Sequence, residues 1–239
     1  MSTMSEEEES SMTQSVGDFE MDDQEDDDDT EENSSEGDWI QWYCALEGHE
    51  FLAEVTKEFI LDFSNLFDLK PKIENYKHAL SQIVTGRAPN ERDLQDEEYL
   101  GVYQSATDLY GLIHARFIQT PAGLAIMREK YLSGKFGSCS RVLCERHNVI
   151  PIGMANELRT SRVKVFCPRC QDVYYPKDRN GEMDGAYFGS SFPHILLQSY
   201  PDLYPLQQHA EYVPKINGFK VHNKRGVFAE NKSIIGNYR

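Results

Sequence analysis

The sequence predicts an α+β fold, in which an N-terminal α-helical domain is followed by a small β domain built around four cysteines. Apolar residues recur at helical spacing within 39–135, and short β-branched and aromatic runs replace that pattern after Gly137. Four of the five cysteines lie in two close pairs among those runs. The predicted parts are a disordered acidic tail over 1–38, the helical domain over 39–135, the cysteine domain over 136–195 and an extended C-terminal tail over 196–239.

The acidic tail differs in composition from the rest of the chain. Residues 1–38 hold 17 of the 40 Asp and Glu residues and no Lys or Arg. The other 201 residues carry 23 acids and 24 bases, so the formal charge of −16 belongs to the tail. Phe19 is the only aromatic residue there. So little apolar surface cannot offset the entropy of ordering a backbone, and we expect the tail to be disordered.

Composition also excludes several classes of protein. No run of about 18 apolar residues occurs, so no membrane span is predicted. The acidic start is unlike a secretory or mitochondrial leader, and we expect a protein of the cytoplasm and nucleus. In that compartment cysteines are reduced thiols or metal ligands more often than disulfides. The acidic balance argues against duplex nucleic acid as the main partner.

The helical domain is predicted from apolar stripes. Helices are also expected over 39–46, 55–67 and 121–132, the last with Pro121 in its first turn, and Gly134 and Gly137 should end the helical block. Two sets of residues each occupy one helix face: Ile73, Tyr76, Leu80 and Ile83, and then Val102, Ala106, Leu109, Tyr110, Ile113 and Phe117.

The segment after Gly137 predicts a few short strands. Runs at 149–152, 162–166 and 172–175 alternate with the cysteine pairs and with turn residues. Beyond Pro201 the chain is polar and interrupted by prolines, with one apolar island at 212–221. A tail with so little core of its own is expected to dock on another surface.

The cysteines form the sharpest chemical pattern. Cys139 and Cys144 are a C-x4-C pair, and after 22 residues Cys167 and Cys170 are a C-x2-C pair. Four soft sulfurs in two turns suit tetrahedral Zn²⁺, and a set of four leaves no open position, so we predict one structural zinc in a ribbon-like domain. The alternative is four buried reduced thiols with accidental spacing. His147 is a conceivable ligand, but the set is complete without it.

No catalytic site is predicted. The sequence lacks a phosphate loop, a dinucleotide fingerprint, a zinc-protease helix, a nucleophile elbow and a kinase catalytic loop. His114 is the best candidate base, although a lone histidine in an apolar helix favours a hydrogen-bonded structural role. Glu97 and Glu98 are interpreted as part of a solvated turn, and Cys44 as a core thiol.

Several motifs in order resemble the regulatory (beta) subunit family of casein kinase II, over about 39–222. Beside the cysteine set, they are WIQWYC at 39–44, GLIHARF at 111–117, DGAYFG at 184–189, FPH at 192–194 and GFKVH at 218–222. The resemblance implies a non-catalytic subunit that dimerises through a zinc domain and binds the catalytic (alpha) subunit. Two chains of each kind would form a tetramer in which this subunit modulates stability, activity and the choice of protein substrates.

The resemblance also implies roles for particular residues. The four cysteines would be the zinc ligands, and three apolar neighbours would form the dimer interface: Val142, Leu143 and Val165. A hairpin with Phe219 at its centre would dock on the kinase through Tyr212, Ile216, Phe219, Val221 and His222. The rival interpretation is a zinc-ribbon module of nucleic-acid or transcription complexes, which the near-neutral charge of 39–239 disfavours.

Two departures from the family pattern stand out. Family members place an aromatic residue before the Gly-Phe pair, where this chain has Asn217, so we expect weaker docking or the use of Ile216 instead. The acidic loop of the family corresponds to 86–98, where Arg87 and Arg92 interrupt the acids, and no polyamine site is expected there.

Three serines in the acidic tail fit the preference that the resemblance implies for this kinase. Each has a carboxylate three residues further on, at Glu8, Asp18 or Asp38. The predicted phosphorylation sites are Ser5, Ser15 and Ser35. The alternative is a tail that only keeps the protein in solution and attracts basic proteins.

Overall fold

The computed structural model describes residues 38–177, 179–207 and 210–221. The expectations for the acidic tail, including Ser5, Ser15 and Ser35, and for His222 lie outside these residues. The described helices are α1 (Trp39–Ala45), α2 (Lys57–Leu61), α3 (Phe63–Leu66), α4 (Tyr76–Thr85), α5 (Glu97–Phe117), α6 (Pro121–Leu132) and α7 (Phe192–Ser199). The strands are β1 (Ile150–Ile152), β2 (Lys164–Cys167), β3 (Asp172–Tyr174), β4 (Lys215–Ile216) and β5 (Phe219–Lys220). The predicted α+β class is confirmed.

The long helix α5 is the centre of the helical part. Asp96 caps its start by accepting a hydrogen bond from the backbone N–H of Glu98, and Arg116 lies in the last turn, where a cation suits the helix dipole. The predicted stripe from Ala106 to Phe117 is buried against α4 and the neighbouring segments. The spacing therefore located the helix, but every residue from Ser105 to His114 is buried, so α5 is enclosed on all sides there, and Val102 at the start of the predicted stripe is only half-buried.

Two predicted helices differ from the observed ones. The segment 55–67 is two short helices, because Asp62 ends α2 and caps α3 through the N–H of Ser64, at 2.9 Å. Ile73 is buried but precedes α4, because Asn75 has a φ of 50° and interrupts the helix. The helix starting at Pro121 is observed as predicted, and Gly134, with a φ of 73°, follows its end.

The ribbon is a three-stranded antiparallel sheet in the order β1-β2-β3. Pro151 pairs with Val165, and Phe166 pairs with Val173. Side chains alternate along β2, so Val165 and Cys167 face the interior while Lys164 and Phe166 are half-buried. The sheet thereby delivers Cys167 to the inner side of the ribbon.

One hydrophobic core joins the helices, the ribbon and α7. Phe51 contacts Phe136 and Phe188 edge to face, with ring centroids 5.5 and 6.4 Å apart. Val165 of β2 and Leu196 of α7 are buried in the same cluster. The predicted domain limits at 135 and 195 stay predictions. The described part of the chain contains no helix with the length and apolar character needed to cross a bilayer.

Candidate metal centre

The four predicted metal ligands converge at one end of the ribbon. The Sγ atoms of Cys139, Cys144, Cys167 and Cys170 all lie within 4.8 Å of one another. Two of these separations run between the cysteine pairs, from Cys139 to Cys170 at 3.7 Å and from Cys144 to Cys167 at 3.5 Å. Tetrahedral zinc with Zn–S bonds of about 2.3 Å holds its sulfurs roughly 3.8 Å apart. The donor set and its spacing therefore fit one ion of this kind.

Two tight turns place these sulfurs, and we call residues 139–147 the first knuckle and 167–171 the second knuckle. In the first, the N–H of Cys139 donates to the carbonyl of His147 at 2.8 Å. In the second, the N–H of Gln171 donates to the carbonyl of Cys167 at 2.8 Å. Glu145 and Gln171 have positive φ angles, so in each knuckle the backbone reverses direction immediately after a cysteine. The backbone therefore forms the site from local turns.

Burial makes two of these thiols, Cys144 and Cys167, poor acids. Desolvation raises the pKa of the Cys144 thiol to about 11 and raises that of Cys167 further above its usual value. Thiolate is the form that binds a metal, so a bound dication must displace protons that the empty site would keep. Four thiolates saturate a tetrahedral ion, and such a closed site cannot activate water.

Polar groups around the sulfurs form a second layer. The hydroxyl of Tyr174 lies 3.2 Å from Sγ of Cys170. Nη1 of Arg169 donates to Oε2 of Glu145 at 2.7 Å and to the carbonyl oxygen of Cys144 at 3.3 Å. Sequence reasoning missed these three neighbours. Only the position of Arg169 inside the C-x2-C pair could have indicated its part.

His147 is not a member of the sulfur cluster. Its Nε2 lies 3.2 Å from the hydroxyl oxygen of Tyr131 on α6. The side chain therefore links the first knuckle to the helical part of the molecule. This placement agrees with a ligand set made of cysteines alone.

The residues assigned to a dimer interface lie in two environments. Val142, in the 3-10 turn Val142–Cys144, has 92% of its surface exposed, and Leu143 beside it is half-buried. Val165 is only 4% exposed and packs inside the chain's own core. The first knuckle therefore presents the accessible apolar surface, whereas Val165 is enclosed in the core of its own chain.

The segment around Phe219 forms the hairpin that the family resemblance implied. Strands β4 and β5 are joined by Asn217 and Gly218, whose φ angles of 50° and 86° match a type I′ turn. Phe219 is 80% exposed, and Ile216, which pairs with it, is also exposed.

Three further residues of the predicted docking segment have defined places. Tyr212 is exposed, and Val221, half-buried, donates its N–H to the carbonyl of Pro214 at 2.8 Å. Asn217 adopts a left-handed conformation that asparagine tolerates well. Asn-Gly is a strong hairpin signal that the sequence analysis, which treated Asn217 only as a lost anchor, did not use.

His114, the best candidate base in the sequence, has a structural role in the core. His114 is fully buried, its Nε2 accepts the N–H of Ala53 at 3.0 Å, and its Nδ1 lies 2.7 Å from the carbonyl oxygen of Tyr187. Since Nε2 accepts, Nδ1 must carry the proton, and burial lowers the pKa of this ring to about 4. The histidine joins three segments of the core.

The other residues considered for catalysis, Glu97, Glu98 and Cys44, also have structural surroundings. Glu97 and Glu98 are exposed in the first turn of α5, where acids favour the helix dipole. Sγ of Cys44 lies 3.2 Å from the hydroxyl of Tyr110. Within residues 38–221, as far as they are described, these side chains do not assemble a nucleophile, a base and an orienting group. The fold and site define a helical protein with a ribbon whose four cysteines could hold a metal ion, and with an exposed aromatic hairpin.

Comparison with known proteins extends this class to a family. The profile of the family described as casein kinase II regulatory subunit matches residues 38–220. Similar relatives include putative casein kinase II subunit beta-4 of Arabidopsis thaliana, 44% identical over 81% of this chain and 70% of the relative. Casein kinase II subunit beta is 45% identical in both Dictyostelium discoideum and Schizosaccharomyces pombe, over 80% of this chain and 70% and 81% of those relatives.

The chain belongs to the casein kinase II regulatory subunit family. The resemblance seen in the motifs is thereby confirmed. The protein is a regulatory subunit rather than a catalytic chain, and membership implies a catalytic kinase subunit as its partner.

Proposed function

We propose that this regulatory subunit dimerises through a structural zinc domain and binds casein kinase II catalytic subunits, whose stability, activity and substrate selection it modulates. The observation that carries the proposal is the convergence of four cysteine sulfurs within 4.8 Å in a chain of this family. Zinc is the ion that suits four thiolates at this spacing, and binding it would supply most of the folding free energy of a small ribbon.

Dimerisation through the first knuckle is supported by its exposed apolar residues. Val142 is almost fully exposed, and Leu143 beside it is half-buried. Both directly precede Cys144 in the same 3-10 turn, so an ion bound to Cys144 would fix the turn that presents them. A two-fold interface repeats the same patch on both copies, and it would remove Val142 from water twice.

Docking on the catalytic subunit is supported by the hairpin. Phe219 and Ile216 pair across a two-residue turn and are both exposed. Burying one Phe side chain contributes about 2 kcal/mol or more, enough for a small anchor at a partner surface. Tyr212 and Val221 extend the same segment, and His222 follows it in the sequence.

Titration calorimetry of the purified catalytic subunit into the zinc-loaded chain tests this proposal. We expect one catalytic subunit bound for each regulatory chain. A Leu206→Ala variant serves as the control for changes in the hairpin. It should bind the catalytic subunit as the wild-type chain does, because Leu206 is exposed and precedes the hairpin. The absence of heat and of co-purification, together with salt-sensitive binding to duplex DNA, would instead favour the nucleic-acid module.

We also propose that the kinase phosphorylates the acidic tail of this subunit. The support is the spacing of Ser5, Ser15 and Ser35 from the following carboxylates. The reconstituted holoenzyme incubated with labelled ATP should label the tail, and the triple serine-to-alanine variant should lose that label. An unlabelled tail in the wild-type chain would contradict the proposal.

A further inference from the structure

Arg169 is an unusually buried cation beside the sulfur cluster. It lies between two ligands, Cys167 and Cys170, and its side chain is only 12% exposed. A buried arginine requires polar or charged partners, because the guanidinium has five donors and never loses its proton. Its observed partners are Oε2 of Glu145, at 2.7 Å, and the carbonyl oxygen of Cys144, at 3.3 Å.

These contacts connect the two knuckles. Arg169 belongs to the second knuckle, whereas Glu145 and Cys144 belong to the first. A single side chain therefore reaches across the site from one ligand pair to the other.

The charge of a loaded site explains why a cation would lie there. Four thiolates and one Zn²⁺ leave a net charge of −2, and a buried charge of that size is costly unless nearby positive groups offset it. The carboxylate of Glu145 is 72% exposed, so water already solvates the acid partner of Arg169. Water therefore screens the attraction between Glu145 and Arg169, so this ion pair offsets only part of the guanidinium charge, and the rest acts on the sulfurs.

We infer that Arg169 is a positioning residue of the metal centre, which clamps the first knuckle through the Cys144 carbonyl and offsets the negative charge of the thiolates. The inference rests on the proposed zinc site and extends it to the layer of residues behind the ligands. Outer-layer groups of this kind typically change metal affinity by about 10- to 100-fold when they are removed.

The role of Glu145 separates this inference from a plain ion pair. If Arg169 acted only as half of a surface pair, removal of either partner would have the same effect, and exposed pairs contribute little. If Arg169 offsets thiolate charge, removal of Glu145 leaves that charge in place. The zinc would then be held at least as tightly as in the wild-type chain.

Competition for zinc between the full-length chain and a chromogenic chelator tests the inference. We expect Arg169→Gln to weaken zinc binding by about 10- to 100-fold. Arg169→Lys, which keeps the charge, should lose less than Arg169→Gln, and Glu145→Gln should lose nothing. Near-ultraviolet circular dichroism of each variant checks the fold. If Arg169→Gln does not fold, Glu145→Gln is compared with the wild-type chain instead, and any loss of zinc affinity in that variant would overturn the inference.

Three results would overturn the inference while leaving the zinc site intact. They are unchanged zinc affinity in Arg169→Gln, equal losses in the lysine and glutamine variants, and a loss in Glu145→Gln as large as that in Arg169→Gln. A wild-type chain that binds no zinc would refute the proposed metal site, and the inference would fall with it.

Discussion

Acid should destabilise this protein through His114, at the centre of its helical core. The ring is neutral in the folded state because Nε2 accepts the N–H of Ala53 and Nδ1–H donates to the carbonyl of Tyr187. A proton added to Nε2 would point at another donor in a site without water access. Burial accordingly lowers the pKa from 6.5 to about 4.

The sign and size of the effect follow from this difference. Below pH 6.5 the unfolded chain takes up a proton that the folded chain refuses until about pH 4, so the unfolded state binds more protons in that window. Stability is therefore fully present above pH 6.5 and is lost as the pH falls toward 4. Between pH 7.5 and 5 the expected loss from His114 is about 2 kcal/mol.

Denaturant unfolding of the wild-type chain and of His114→Gln measures this loss, at one protein concentration and at both pH values. The variant is expected to be less stable at pH 7.5, and its deficit should shrink by about 2 kcal/mol at pH 5. Comparing two proteins with the same four cysteines cancels acid effects on those thiols. His78→Gln, at an exposed position on α4, should keep the wild-type pH dependence. An equal deficit for His114→Gln at both pH values would show that folding does not lower the pKa of His114.

Further predictions concern the ribbon, the hairpin and the core. Changing Cys167 and Cys170 together to serine should abolish zinc retention, dimerisation and kinase docking, and a stoichiometric dimer of that variant in sedimentation would contradict this. Phe219→Ala should weaken binding to the catalytic subunit by about 2 kcal/mol or more with self-association unchanged, so equal affinity in calorimetry would count against the anchor. Gly111→Ala should lower the unfolding free energy by about 1–3 kcal/mol, because the new Cβ would overlap the buried ring of Tyr187. Unchanged thermal stability would contradict this.

The sequence predicted best the elements whose cause is local. Helix α5 follows from a long stripe of regular spacing, and the start of α6 follows from Pro121. The cysteine cluster follows from two close pairs, because a metal-binding turn needs only a few residues. These features depend little on what the rest of the chain does.

Two kinds of feature were harder to predict: those in which a side chain competes with the backbone for hydrogen bonds, and those that depend on contacts between residues far apart in the chain. Asp62 divides 55–67 because its side chain bonds the backbone of the next helix, although the apolar spacing continues through it. The contact of Arg169 with Glu145 and the contact of His114 with Tyr187 join residues far apart in the chain. Strand alternation in β2 does place Val165 inward, since it lies on the same face as Cys167.

Native mass spectrometry of the purified chain, before and after chelation, shows whether a bound metal holds two copies together. We expect a dimer that carries two zinc ions and that separates into metal-free single chains when the metal is removed. A dimer that survives with no metal bound, or a folded single chain that never held an ion, would contradict it.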